Sequence, residues 1–281
     1  MSQLLKTSKL PFLNPQARQV AIALENVAFA YPETPDILAD ITFTVREGER
    51  VGLIGHNGCG KTTLFMLVCG LLKPTAGSIH LFGKSVQPNQ FYPEVGFLFQ
   101  DPKDQLFAPS VWDDIAFGPQ NLGLSDAEVD ARVKAALDLT GMTYVAERPP
   151  HHLSGGEKQM VAIAGLLAMC PQVLFYDEPT ASLDMRTRRR LIRFLQRSPE
   201  TVVIASHDLE FLLEVCDRVV LIDEGLVIAD GKTRDVMGNQ TLMEAHGLEK
   251  PHSLIPHVDP HHDLSSVANQ NGKRYESSLE S

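Results

Sequence analysis

Residues able to do phosphate chemistry cluster in a few short stretches. GHNGCGKTT supplies Gly55, His56, Asn57, Gly58, Cys59, Gly60, Lys61, Thr62 and Thr63, matching G-x-x-x-x-G-K-[ST]. Glycines at this spacing let backbone N–H groups turn inward around phosphate oxygens, Lys61 reaches the β/γ phosphates, and the Thr62 hydroxyl can ligate Mg²⁺. Farther on, VLFYDE carries Asp177 to the end of an apolar run, where a carboxylate can hold Mg²⁺ through water. Glu178 beside it is a candidate base for the attacking water. LSGGE has Ser154 and Glu157 at capping-box spacing, so the helix N-terminus behind Gly155 and Gly156 is open to an anion. TVVIASHD sets His207 directly after another apolar run. Taken alone, a turn acid, a helix cap or a satisfied histidine would be the ordinary reading of each later stretch. Pairing with Gly55–Thr62 reverses that preference for Asp177 and Glu178.

These residues need elements to position them. RVGLIG, EVGFLFQ, VLFYDE, TVVIAS and VVLID are short apolar runs separated by helical segments, the pattern of a mainly parallel sheet buried on both faces. Leu64, Leu67, Val68, Leu71 and Leu72 follow helical spacing behind the phosphate motif and predict the helix that packs on that sheet. Val20 to Tyr31 carries the first strand signal. Ile41, Phe43 and Val45 alternate with threonines as in a half-buried antiparallel strand. No strand run appears between Gln100 and Val173, where SDAEVDARVKAALDLTG opens with Ser125 and Glu128 and stops at Gly141. An inserted helical subdomain at about 101–170 follows, with the face of Met160, Ile163, Ala164, Leu167 and Ala168 turned inward. Residues 1–19 are expected as an extension, 20–245 as one nucleotide-binding domain, and 246–281 as a flexible tail containing histidines.

Composition narrows the function classes. The 281 residues are 43% hydrophobic and 21% charged, with a formal charge of -10. An acidic balance argues against general nucleic-acid binding, and Arg186, Arg188, Arg189, Arg190 and Arg193 read as the solvated face of one helix. No apolar run approaches the roughly eighteen residues of a membrane span, and no leader pattern opens the chain. Cys59, Cys69, Cys170 and Cys216 are scattered, which indicates neither a disulfide framework nor a zinc site.

GHNGCGKTT, Gln100, LSGGE, VLFYDEPT, SLD and SHD, in this order, resemble the ATPase subunits of ABC transporters over roughly residues 20–240. The resemblance implies a P-loop NTPase of α/β class: a mainly parallel core sheet, an N-terminal antiparallel β subdomain and the helical insertion. It implies ATP and Mg²⁺ as cofactors, with Thr62, Gln100 and Asp177 at the metal and catalysis by Glu178 and His207. Tyr31 would stack on adenine, although by itself it could be a plain strand-end aromatic. Ser154, Gly155, Gly156 and Glu157 would bind the γ-phosphate of ATP held by a second chain, a copy or a paralogue, and Ser182 to Asp184 would communicate across that dimer. The sequence departs from the family at His56, Cys59, Glu157 and Met160, where proline, a small residue, glutamine and arginine are commoner. None of these changes removes a phosphate ligand.

DPKDQLFAPSVWDDIAFGPQNLGL, Asp101 to Leu124, resembles the ATPases of energy-coupling-factor transporters. That resemblance implies a peripheral protein on the cytoplasmic face of the cell membrane, with a transmembrane coupling subunit and a separate substrate-capture membrane subunit as partners. Leu106, Phe107, Val111 and Trp112 would be apolar anchors for a partner helix, and Asp101, Asp104, Asp113 and Asp114 would pair with its basic residues. Five histidines, His246, His252, His257, His261 and His262, lie near the end of the chain and favour cobalt or nickel as cargo. The alternatives are a vitamin such as biotin, or a soluble ABC ATPase outside transport.

Overall fold

The computed structural model describes residues 19–181 and 183–255. The expected extension before residue 19, Ser182, and the tail with His257, His261 and His262 lie outside the described residues.

Strands β1 (Val20–Tyr31) and β2 (Thr34–Arg46) pair antiparallel along their length. β2 starts well before Ile41, because its first half pairs with the end of β1 through Phe29↔Leu38 and Tyr31↔Thr34. β3 (Arg50–Ile54), buried from Val51 onward, feeds α1 (Lys61–Val68). This helix is shorter than its leucine spacing predicts. Gly70 turns the chain at φ 73°, so Leu71 is 54% exposed whereas Leu64, Leu67 and Val68 are buried. β4 (Ala76–Leu81) and β5 (Lys84–Ser85) complete the antiparallel part, and β6 (Val95–Leu98) belongs to the parallel part.

Helices α2 (Val111–Asn121), α3 (Asp126–Thr140) and α4 (Gly155–Ala168) occupy the interval before β7 (Val173–Asp177). The Ser125–Glu128 capping box and Gly141 at φ 68° bound α3 as the pattern predicts. On α4 Leu167 of the expected face is only part-buried, beside the α5 arginines, while the buried surface otherwise spreads beyond one stripe to Gln159, Val161, Ala162 and Leu166. The reason is tertiary, since α2 and α3 pack on this helix from one side and β6 from another.

The chain continues through α5 (Met185–Arg197), β8 (Thr201–Ala205), α6 (Leu209–Val215), β9 (Arg218–Asp223) and β10 (Leu226–Lys232). It then forms α7 (Thr233–Gly238) and α8 (Gln240–Ala245). β10 is not announced by hydrophobic alternation, being part-exposed throughout. Its hairpin with β9 closes through Glu224 at φ 47° and Gly225 at φ 72°, the pair of positive φ values that a type I′ turn requires.

The strands form a 10-stranded sheet in the order β5-β4-β1-β2-β10-β9-β3-β8-β7-β6. β9, β3, β8, β7 and β6 run parallel, and Leu226↔Asp40 joins the two parts. Because successive side chains alternate faces, each parallel strand serves two cores. Leu174, Tyr176, Val202, Ile204, Val219 and Leu221 face the core shared with α4, α5 and α6. Val173, Phe175, Val203, Val220 and Ile222 face the core shared with α1 and the antiparallel strands. The edge where β3, β7, β8 and β9 end carries the polar residues Asp177, Glu178, Ser206 and Asp223.

Candidate active site

β3 delivers Gly55 against the end of β9. A Cβ at Gly55, where φ is +152°, would stand 2.2 Å from the Ile222 carbonyl oxygen and 2.6 Å from Cys59 Sγ, so no larger residue fits. Gly60, at φ 97°, caps α1, and the loop turns its backbone around a helix N-terminus. Lys61 is only 7% exposed, and its Nζ donates to the carbonyls of Gly55 at 2.9 Å and His56 at 3.0 Å. Burial pushes the Cys59 thiol up, with Lys61 opposing. Asn57, Gly58, Gly60, Lys61, Thr62 and Thr63 line a cavity of about 350 Å³ with Gln100, Asp177, Glu178 and His207. Tyr31 stands near the same helix start: its hydroxyl is 3.4 Å from Thr63 Oγ1, and its ring meets Phe29 edge to face at 4.8 Å.

β7 carries the acids to this cavity. Thr62 Oγ1 donates to Asp177 Oδ2 at 2.5 Å. Burial raises the Asp177 carboxyl above its ordinary range; the Thr62 hydrogen bond and Lys61 oppose that shift, and Glu178 adds to it. Glu178 leaves the strand at φ 47°, an uncommon conformation for a residue with a Cβ, and its N–H is held by the Ala205 carbonyl at 2.8 Å. The turn aims its carboxylate along the sheet edge. Ser206 Oγ donates to Glu178 Oε2 at 3.1 Å, the His207 N–H to Oε1 at 3.1 Å, and His207 Nδ1 lies 2.7 Å from Oε2. A carboxylate on Nδ1 sets the tautomer of His207, whose side chain borders the cavity.

Gln100 follows β6 and borders a second cavity, of about 650 Å³, with Thr62, Asp177, Asp101 to Asp104, Gly155 and Lys158. Gln105 closes the loop around it: its Oε1 accepts the Phe99 N–H at 3.1 Å, and its Nε2 donates to the Phe97 carbonyl at 2.8 Å. Ser154 caps α4. Glu157 Oε2 accepts from the Ser154 N–H at 2.8 Å and Oγ at 2.7 Å, while Oε1 accepts from Tyr144 at 2.9 Å. These bonds, led by that from the Ser154 backbone, hold the Glu157 carboxyl low. Its charge is turned back onto its own helix, and Ser154 and Gly155 stay exposed while Gly156 packs under Thr187.

Asp101, Asp104, Asp113, Phe107 and Trp112 are at or near the surface, but Val111 is fully buried and is a core residue rather than an anchor. Asp114 Oδ1 accepts the N–H groups of Phe107 and Ala108, both at 3.0 Å, so it shapes the loop instead of facing outward. Phe117, half exposed, meets Phe107 edge to face at 4.9 Å, and both line an apolar groove of about 260 Å³ with Leu106, Leu166 and Met169. Arg188 also leaves the expected solvated face. It binds Asp208 through Nε at 3.0 Å and Nη2 at 3.2 Å, fixing the residue after His207. The remaining arginines of α5 line a cavity of about 690 Å³ with Leu139 and Phe194, which holds none of the phosphate-site residues.

Sequence reasoning missed Ser206 and Asp223 at this edge. Asp223 carried the one available signal, an acid ending the apolar run VVLID as Asp177 ends VLFYD.

The ABC transporter family model matches residues 38–181. A Synechocystis protein named as an ABC transporter ATP-binding protein is 61% identical over 234 residues, covering 83% of this chain and 82% of that protein. This chain belongs to the ABC transporter ATP-binding proteins. The ABC ATPase is also 42% identical to the energy-coupling factor transporter ATP-binding protein EcfA of Methanothermobacter thermautotrophicus, over 82% of this chain and 76% of that one. Among solved structures it resembles cbiO1 of Clostridium perfringens, described as part of the ABC transporter complex cbiONQ. That match has a TM-score of 0.71 and 34% identity over 81% of this chain and 94% of the other. Membership makes the chain an ATP-hydrolysing subunit of a transporter, with the expected α/β P-loop fold.

Proposed function

We propose that this ABC ATPase energises an energy-coupling-factor importer, with ATP bound by Gly55 to Thr63 and Tyr31 of one chain and by Ser154 to Glu157 of a second. Oxygen donors from Thr62 and Asp177, with Gln100 nearby, fit Mg²⁺, and a carboxylate whose proton affinity is raised by burial is one that a dication would keep ionised. The metal would neutralise charge on the phosphates. Glu178 takes the proton of the attacking water, His207 contacts the γ-phosphate, and Ser206 and the His207 backbone hold Glu178 in place.

The observation that carries the transport reading is the cavity shared by Thr62, Asp177 and the segment Gln100 to Asp104. A change at the γ-phosphate reaches that segment without an intermediary. Beyond Gln105 the chain runs into the apolar groove of Leu106, Phe107 and Phe117, of a character to take apolar side chains projecting from a partner's helix. The groove belongs to a transmembrane coupling subunit, which sets the ATPase peripherally on the cytoplasmic membrane face, and a further membrane subunit captures the cargo. Likeness to EcfA and cbiO1 supports this assembly, and we assign cobalt or nickel as cargo from the resemblance and the histidines near the chain end.

Charge reversal of Asp101 and Asp104 tests the assignment. Co-purification of the membrane subunits and uptake of radiolabelled cobalt or nickel should fall while ATP binding is retained. Unchanged co-purification and uptake would remove the coupling role, and uptake of biotin but not metal would replace the cargo.

A further inference from the structure

The histidine of the phosphate loop is wired to the far end of the described chain. His56 Nε2 lies 3.0 Å from Asp223 Oδ1, and His246 Nδ1 lies 2.6 Å from Asp223 Oδ2. His56 Nδ1 is also 2.8 Å from the Asn57 carbonyl, so both of its ring nitrogens face oxygen acceptors. Asp223 Oδ1 additionally accepts the Glu224 N–H at 2.9 Å, which ties the same carboxylate to the β9–β10 turn. The hydrogen bond from His246 is the largest of the influences that hold the Asp223 carboxyl low, ahead of that turn and His56. One aspartate therefore joins the phosphate loop, a sheet hairpin and the residue after α8.

The first turn of the loop depends on this arrangement. The His56 carbonyl accepts both the Cys59 N–H at 3.3 Å and Lys61 Nζ at 3.0 Å, so a rotation of residue 56 displaces the lysine. Glycines at 55, 58 and 60 leave the loop backbone with large conformational freedom, and a side-chain anchor at residue 56 lowers the cost of ordering it around phosphate. The segment that supplies His246 is itself held down. Met243 is buried, and Ser253 donates through its N–H and Oγ to Glu210 of α6 at 3.0 Å and 2.6 Å.

We propose that His246 is a positioning residue for ATP binding: through Asp223 it fixes His56, so that docking of residues 240–255 sets the affinity of the phosphate loop. The role requires no contact between His246 and nucleotide. It rests on the assignment of Gly55 to Thr63 to phosphate and is independent of the transport partner and cargo.

Equilibrium binding of MgATP to the full chain tests it. His246→Ala should weaken binding by about fivefold or more, the lower end of ordinary site-to-site coupling. Turnover at saturating ATP should change less than affinity, and the melting temperature should stay close to native. His246→Asn, whose amide N–H can still donate to Asp223, should recover most of the affinity. In a His56→Ala background the His246→Ala effect should vanish, because its route to the loop is gone. Native affinity in His246→Ala, failure of Asn to restore it, or full additivity with His56→Ala each overturns the proposal. Lys61→Ala separates the two levels: if it binds ATP normally the loop assignment fails, whereas weakened binding there beside native binding in His246→Ala sinks only the positioning role.

Discussion

Replacing Glu178 by glutamine is expected to separate ATP binding from ATP cleavage. The native carboxylate faces three donors: Ser206 Oγ and His207 Nδ1 on Oε2, and the His207 N–H on Oε1. Glutamine keeps the shape and one acceptor oxygen. Its NH₂ group then faces a ring nitrogen, and His207 can answer by moving its proton from Nδ1 to Nε2 and accepting instead. The fold and the nucleotide cavity should survive this exchange. What is lost is the base, for which a drop in kcat of about 10²–10⁴ is expected. That corresponds to about 2.7–5.4 kcal/mol on the barrier. Phosphate release at saturating MgATP measures the loss, equilibrium dialysis measures the affinity, and light scattering detects ATP-bound dimers that no longer turn over. Turnover within tenfold of native would refute Glu178 as the base, and a parallel loss of affinity would assign it to binding instead.

Two further changes test the same edge from other sides. Asp177→Asn should abolish turnover in Mg²⁺ yet raise the melting temperature of the nucleotide-free chain at neutral pH, since burial lifts the native carboxyl above 3.8 and makes its charge unfavourable there. The stability gap should be full above the folded pKa, narrow as pH falls through it, and close towards pH 3.8; a gap that widens on acidification would contradict the sign. Gly156→Ala would set a Cβ 2.9 Å from Thr187 Oγ1, so a loss of about 1–3 kcal/mol in denaturant unfolding is expected, with none if α5 yields freely.

Much of this edge was legible because short-range rules and long-range packing agree there. The glycine spacing, the acid ending VLFYD and the cap at Ser154 each state a local backbone requirement, and the fold meets all three. Legibility failed where partners are distant in sequence. The leucine period continues past Val68, but Gly70 stops α1, and α4 is buried beyond its stripe because α2, α3 and β6 all pack on it. Val111 and Asp114 look like surface residues in a polar stretch; their places depend on loop and helix contacts that no local pattern encodes. Asp223 and His246 lie far from His56 along the chain; β9 beside β3 brings Asp223 to the loop, and His246 joins through its bond to Asp223.

The place of β3 in the sheet also governs when the protein can first hold a ligand. β3 lies between β8 and β9, which span Thr201–Ala205 and Arg218–Asp223, while the phosphate loop it carries is finished by residue 63. On a ribosome the loop is therefore made early and must wait, without either strand neighbour, until most of the chain has emerged. Such distant pairing slows folding and leaves an apolar strand open to wrong partners in the interval. Nascent chains halted before Thr201 should not retain ATP, whereas chains extended past His246 should, which makes nucleotide capture a mark of completed synthesis.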